Sequence, residues 1–271
     1  MVITSVTNPR VKRLVNLGKK AKARYSEEVF IVEGIKMFLE APAEWIKEVY
    51  VSERFLEKNP SEQFQGMRYE VVSDEVFQKI SDTQTPQGVL CVMKMPEYRL
   101  SDLLKTNKKR MLFLLLEDIQ DPGNLGTMFR AGEGAGIDGV IMTKNTVDIF
   151  NPKVIRSTMG SIYRVPFVIT DDMLQAMTDL QAGGVTVYAA HLKESVDYDL
   201  QDYTKSTAFL IGNEANGLKD ETANRADCYI KIPMKGQVES LNAAVASSIL
   251  MYEAAKQKEF LRRQKTPPKK F

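Results

Sequence analysis

The sequence predicts an α/β protein in two parts: a parallel sheet from about residue 111 onward, preceded by a smaller α/β part. Three observations predict it. Strand-like and helix-like segments alternate along all 271 residues, with no internal repeat. The candidate strands of the second part are apolar at nearly every position, the pattern of a sheet covered on both faces. Between the parts, the polar, proline-containing stretch 96–110 (PEYRLSDLLKTNKKR) breaks the alternation and marks a boundary, where a short helix and a free linker both fit. The chain divides accordingly into 1–98, a connecting segment 99–110, a second domain 111–260 and a basic tail 261–271.

In the first part, Val29–Val32, Ile46–Val51, Met67–Val72 and Gly88–Met93 read as short strands. Amphipathic segments at Gly34–Ala41, Glu53–Lys58 and Asp74–Ile80 lie between them. The second part opens on the apolar strand Met111–Leu116. Further strands are expected at Gly139–Met142, Val165–Ile169, Val185–Ala190, Ala208–Ile211 and Cys228–Ile232. The final helix starts near Ser240 and runs into the basic tail. It is rich in alanine, and its Leu241, Val245 and Ile249 form a stripe suited to close packing on another helix, of this chain or of a second subunit.

Composition bounds the class. A content of 44% hydrophobic and 27% charged residues is that of a soluble globular protein. The longest apolar run, Met111–Leu116, falls far short of the roughly 20 residues that cross a bilayer, and the start MVITSVTNPRVKR has no secretory h-region. No membrane span, no secretory signal and a cytoplasmic location are expected. The two cysteines, Cys91 and Cys228, form no metal-binding or disulfide pattern. The net charge of +2 conceals an uneven distribution. Residues 1–26 carry seven basic side chains and no acid, and residues 256–271 carry seven against Glu259 alone, so the body between them is acidic. Such cationic ends suit phosphate backbones, or simply keep termini soluble, and charge alone does not choose.

Gly134-Ala-Gly136-Ile-Asp-Gly139 matches GxGxxG, but a dinucleotide fingerprint follows a strand and opens a helix. Here the order is reversed, so the glycines read as a helix C-cap and tight turn. The nearby DPGNLG lacks the Lys-Ser/Thr of a P-loop. Three other segments lie just beyond strand ends, where α/β proteins place ligands. In residues 116–130 (LEDIQDPGNLGTMFR), Asn124 stands at a helix start, as an N-cap or a substrate-orienting amide, with Arg130 six residues on. In residues 209–218 (FLIGNEANGL), Gly212 allows close approach of a ligand and Glu214 places a carboxylate in the same loop. In residues 230–245 (IKIPMKGQVESLNAAV), a strand breaks at Pro233, passes Gly236 and enters a helix at Ser240, Leu241 and Asn242. Each segment alone also fits a plain turn or cap.

Together and in this order, N-x-G-x-x-x-R, G-x-E-x-x-G-L and I-P-M-x-G-x-x-x-S-L-N resemble the three signature motifs of the SpoU (TrmH-type) branch of the SPOUT RNA methyltransferases. The resemblance spans residues 110–258. Residues 1–98 are similar to the L30e/L7Ae-type RNA substrate-binding domain that precedes many 23S rRNA ribose methyltransferases, through SVTNPRVKRLVNL, FIVEG and QGVLCV.

The resemblance implies a C-terminal trefoil knot, a homodimer formed through the knot region, and S-adenosyl-L-methionine as methyl donor with no metal. It implies methyl transfer to a ribose 2′-hydroxyl of RNA, with 23S rRNA as substrate and neither DNA nor membrane as partner. Carried onto this chain, it places cofactor contacts at Gly212, Ile232, Met234 and Leu241. It assigns catalytic or positioning roles to Arg130, Asn124, Glu214, Ser240 and Asn242, Arg130 acting as base or as electrostatic stabiliser. His191 falls outside the motifs and is expected to be structural. A tRNA ribose methyltransferase, or an inactive RNA-binding assembly factor on the same fold, are the alternatives.

Overall fold

A computed structural model describes residues 2–59, 64, 66–105, 108–192 and 195–265. The expected basic tail therefore lies outside the described residues from 266 onward. The chain forms two compact units, Met1–Glu97 with Asp148–Tyr163, and Tyr98–Val147 with Arg164–Phe271.

The first unit contains β1 (Val2–Ile3), α1 (Pro9–Lys19), α2 (Ala21–Glu27), β2 (Val29–Glu33), α3 (Ile35–Leu39), β3 (Ile46–Ser52), α4 (Glu53–Lys58), β4 (Glu70–Val72), α5 (Asp74–Ile80) and β5 (Val89–Lys94). Its sheet runs β1-β4-β3-β5-β2, parallel across the first three strands and antiparallel across the last two pairings. Helix α1 is not among the elements expected from sequence. Asn8 caps it by accepting from the Arg10 N–H at 2.9 Å, and Pro9 occupies its first turn, where the missing donor costs nothing. Val11, Leu14 and Leu17 follow at helical spacing and are buried with Val76, Phe77 and Ile80 of α5.

Residues 148–163 belong to the first unit through specific bonds. The buried Arg24 guanidinium pairs with Asp148 and donates to the Leu17 carbonyl at 2.8 Å, and Tyr25 Oη donates to the same Asp148 at 3.1 Å. Tyr163 Oη donates to the Met37 carbonyl at 3.0 Å.

The second unit contains α6 (Leu100–Leu104), β6 (Leu112–Leu116), α7 (Pro122–Ala135), β7 (Gly139–Thr143), β8 (Phe167–Thr170), α9 (Met173–Ala182), β9 (Thr186–Ala190), β10 (Val196–Asp197), β11 (Thr207–Ile211), α10 (Asp220–Ala223), β12 (Cys228–Lys231) and α11 (Ala243–Lys265), with α8 (Pro152–Thr158) lying in the first unit. Its seven strands are all parallel, in the order β10-β12-β9-β11-β6-β7-β8. This is the α/β parallel sheet that the apolar strands indicate. Every residue of the central strands β6 and β11 is buried. Strand β8 begins two residues later than expected because Pro166 has no N–H to donate and offers only its carbonyl, to Val140.

Helix α7 ends in a left-handed cap at Gly136 (φ 75°), so the GxGxxG string is the helix end and turn that its order indicates. Gly134 makes room for α11: a Cβ there would stand 2.5 Å from Tyr252 Oη. Helix α11 begins at Ala243, not Ser240, and the face it buries is Ala244, Ser247, Leu250, Met251 and Ala254. The expected stripe lies on another face, where Val245 is 48% exposed.

Candidate functional site

A cavity of about 650 Å³ opens at the C-terminal ends of β9, β11 and β12, within the range of small-molecule and cofactor sites. Its walls are the loop after β11, the loop after β12 and the first turns of α11. Gly212, Ile232, Met234 and Leu241 all line it, as do Glu214, Ser240 and Asn242. Apolar atoms of Ala190, Ile211, Ala246 and Leu250 supply a surface for a flat ring, and the loops offer main-chain donors and acceptors.

The loops are held by a chain of hydrogen bonds centred on Asn124. Its Nδ2 donates to Glu214 Oε1 at 3.0 Å, and its Oδ1 accepts from Asn242 Nδ2 at 2.9 Å. One residue from each of the three sequence motifs thus enters a single relay. Glu214 also accepts from the backbone N–H groups of Gln120 and Asp121, at 3.0 and 3.1 Å. Burial works to raise the Glu214 carboxyl, but these three hydrogen bonds outweigh it and hold the group below the usual carboxylate range. Asn242 Oδ1 accepts from the N–H groups of Ala244 and Val245, capping α11 at 2.9 and 3.3 Å.

The structure corrects one expectation and adds to two others. Asn124 is not the N-cap of α7. That role belongs to Asp121, whose Oδ1 accepts from the Asn124 N–H at 2.8 Å, leaving the Asn124 side chain to bridge the other two loops. Gly212 is also required by the chain itself, since a Cβ there would lie 2.3–2.4 Å from the backbone of Gly217 and Leu218. His191, expected to be structural, is among the residues lining the cavity, with its ring 4.8 Å from that of Tyr229.

Two acidic residues that the motifs do not single out brace the site. Glu117 is 2% exposed and accepts from the Lys219 N–H at 2.8 Å and from Thr222 Oγ1 at 2.5 Å. Asp118 pairs with Lys219 Nζ at 2.9 Å, and its carbonyl accepts from Asn213 Nδ2 at 2.8 Å. Burial tends to raise the Asp118 carboxyl, but hydrogen bonds from Lys219 and Thr143 prevail and its pKa is lowered. Their position directly after β6 is the signal in the sequence that points to them. Arg130 stands apart. It is exposed on α7, outside the cavity lining, about 9 Å of helix rise beyond Asn124.

Residues 111–252 match the SpoU rRNA Methylase family, and residues 8–91 match the MRM3-like substrate binding domain. The chain belongs to the SpoU rRNA methylase family. It is 34% identical over 253 residues to a Bacillus subtilis (strain 168) 23S rRNA (guanosine(2553)-2′-O)-methyltransferase, covering 92% of this chain and 97% of that protein. An AdoMet-bound rRNA methyltransferase from Sinorhizobium meliloti superposes with a TM-score of 0.82 at 32% identity, over 94% of this chain and 97% of the other. The A. aeolicus TrmH/SpoU tRNA modifying enzyme superposes with a TM-score of 0.53 at 28% identity, over 62% of this chain and 85% of the other.

Family membership makes the chain an S-adenosylmethionine-dependent RNA methyltransferase acting on a ribose 2′-hydroxyl, and implies the trefoil knot of that family. The mixed apolar and main-chain lining of the cavity suits the adenosine and amino-acid moieties of that cofactor. When bound, the cofactor supplies an electrophilic methyl group on a sulfonium.

Proposed function

We propose that the chain methylates one ribose 2′-hydroxyl of 23S rRNA in the cytoplasm, as a homodimer. The observation that carries the site reading is the Glu214–Asn124–Asn242 relay, which knits the three motif loops around a cofactor-sized cavity. The choice of 23S rRNA rests on the near full-length likeness to an enzyme of that specificity, where the tRNA modifying enzyme covers only 62% of this chain.

Gly212, Ile232, Met234 and Leu241 hold the cofactor against the loops they line. The 2′-hydroxyl is a very weak acid, so transfer needs proton removal together with in-line placement of the oxygen. Arg130 stabilises the developing alkoxide or engages an RNA phosphate that takes the proton, since a guanidinium stays charged at neutral pH. Each polar side-chain atom of Asn124 already has a protein partner, so Asn124 positions the loops rather than the ribose. Glu214 and Asn242 act with it, and Ser240 lines the cavity. The homodimer reading is supported by apolar side chains left exposed on α11, with Tyr252 52% and Phe260 61% exposed beside Val245.

Mapping 2′-O-methylation across rRNA and tRNA in cells with and without the protein tests the proposal. Loss of one 23S position is expected. Loss confined to tRNA would move the substrate, and an unchanged map would leave an RNA-binding factor without transferase activity.

A further inference from the structure

The first unit carries a second cleft that the cofactor site does not use. It encloses about 510 Å³ between α4, the start of α5 and residues 84–88. Its back wall is rigid for an identifiable reason. Gly88 adopts φ +93°, and a Cβ there would come within 2.6 Å of Ser52 Oγ and 2.7 Å of Phe55 Cβ, so the loop presses directly on the head of α4. Ser52 N–H donates to the Gly88 carbonyl at 2.9 Å, and Ser52 Oγ caps α4 through the Phe55 N–H at 3.1 Å. The buried rings of Phe55 and Phe77 form an apolar floor.

Above that floor the chemistry is unusual. Arg54 and Lys58 line the cleft with no ion-pair partner among the described residues, and Gln78 and Gln84 line it with no hydrogen-bond partner there. Gln87 uses its Oε1 on the Ile35 N–H at 3.0 Å, which fixes the side chain at the rim. The one lining acid, Asp74, accepts from the Arg54 N–H at 3.3 Å. The cleft therefore combines fixed and unengaged amides, each both donor and acceptor, with an excess of positive charge. Amides match the mixed donor and acceptor edges of nucleobases, and the two cations match a phosphate. In an A-form duplex the Watson–Crick edges are paired and the major groove is too narrow for side chains, so amides that read those edges fit an unpaired base.

We propose that this cleft binds a single-stranded nucleotide of the RNA substrate, its base against the Gln78 and Gln84 amides and its phosphate at Arg54 and Lys58. The proposal rests on the reading that the chain acts on RNA, and adds which surface of the first unit selects unpaired RNA.

The test uses the full ¹⁵N-labelled chain, a single-stranded RNA hexamer of mixed sequence and a blunt duplex of equal length. The hexamer is expected to shift the side-chain amide resonances of Gln78 and Gln84, and the duplex to leave them in place. Arg54→Ala/Lys58→Ala should weaken hexamer binding at least tenfold and raise the KM for rRNA with kcat and cofactor affinity unchanged. Arg54→Gln/Lys58→Gln, which keeps side-chain bulk, should do the same if the alanine variant loses thermal stability. Unmoved glutamine resonances, equal hexamer affinity in the variants, or equal competition by the duplex would overturn the cleft assignment. A wild-type chain that shifts those resonances yet methylates no RNA would instead overturn the transferase reading alone.

Discussion

At the scale of single residues, the site separates groups that build the loops from Arg130, which takes no part in them. Asn124 builds. Replacing it with alanine removes one donor from Glu214 and leaves Asn242 Nδ2 without its acceptor. Asn124→Ala should cost about 1–3 kcal/mol, read as a lower denaturant midpoint, and should weaken cofactor binding together with activity. Arg130 does not build. It is exposed and takes no part in the loop relay, so Arg130→Ala should leave stability within about 0.5 kcal/mol and cofactor affinity within a few fold while abolishing methyl transfer. Wild-type turnover by that variant would remove Arg130 from the mechanism. Glu214 and Asp118 both have lowered pKa values. A carboxylate depressed on folding stabilises the protein above its unfolded pKa, about 4.3 for Glu and 3.9 for Asp, and that contribution is lost as pH falls through the folded value. Thermal midpoints should therefore drop steeply below about pH 4, and Glu214→Gln should flatten that acid limb while lowering the midpoint at about pH 7.

At the scale of elements, two glycines of the motif loops should behave oppositely although both occupy motif positions. An alanine Cβ at Gly212 would meet the Gly217–Leu218 backbone at 2.3–2.4 Å, and backbone cannot swing aside as a side chain does. Gly212→Ala should destabilise by about 1–3 kcal/mol and abolish cofactor binding by opening the loop. At Gly236 an added methyl group would meet nothing within 4 Å, so Gly236→Ala should leave the melting temperature unchanged. Calorimetry on the pair checks both. The same loops mark where sequence is legible. Strands β6 (LFLLL) and β11 (TAFLI) can be placed because short, nearly continuous apolar runs bounded by polar residues have few other uses. Helix α1 escapes the sequence pattern, although its apolar positions 11, 14 and 17 carry a helical period, because lysines and arginines fill the turns between them. The buried face of α11 differs from the expected stripe: Ala244, Ser247, Leu250, Met251 and Ala254 are buried, and a Cβ at Gly132 or Gly134 of α7 would meet Met251 or Tyr252 of α11. The motif residues are visible one by one, but the relay joining them is not, since a hydrogen bond between residues 124 and 242 is a property of the fold.

At the scale of the whole molecule, the cationic ends are not equivalent. In the C-terminal block, Arg262 and Arg263 pair with Glu259, and Lys256 pairs with Glu253 at 3.1 Å. In the N-terminal block, Arg10 pairs with Glu70 and Arg13 with Glu27 and Glu48, but Lys12, Lys19 and Lys20 are exposed and have no ion-pair partner among the described residues. Lys12 and Lys19 fall on one face of α1, seven residues or about 10 Å of helix rise apart, and Lys20 follows directly as the C-cap. Lys12 also lies near the positive end of the helix dipole with no acid in the first turn, an arrangement that weakens the isolated helix and is relieved by a bound anion. A cation already neutralised by a carboxylate gains less from a phosphate, because the intramolecular pair must first be given up. The N-terminal face should therefore account for more of the salt dependence of RNA binding. Each phosphate contact removed lowers the slope of log K against log salt by about 0.7–0.9, so Lys12→Ala/Lys19→Ala/Lys20→Ala should flatten the slope by about 2 to 3. Arg262→Ala/Arg263→Ala should flatten it by less than one. Anisotropy titrations of an rRNA fragment between about 50 and about 300 mM salt measure both slopes, and equal effects of the two variants would show that pairing within the protein does not decide which cations meet the RNA.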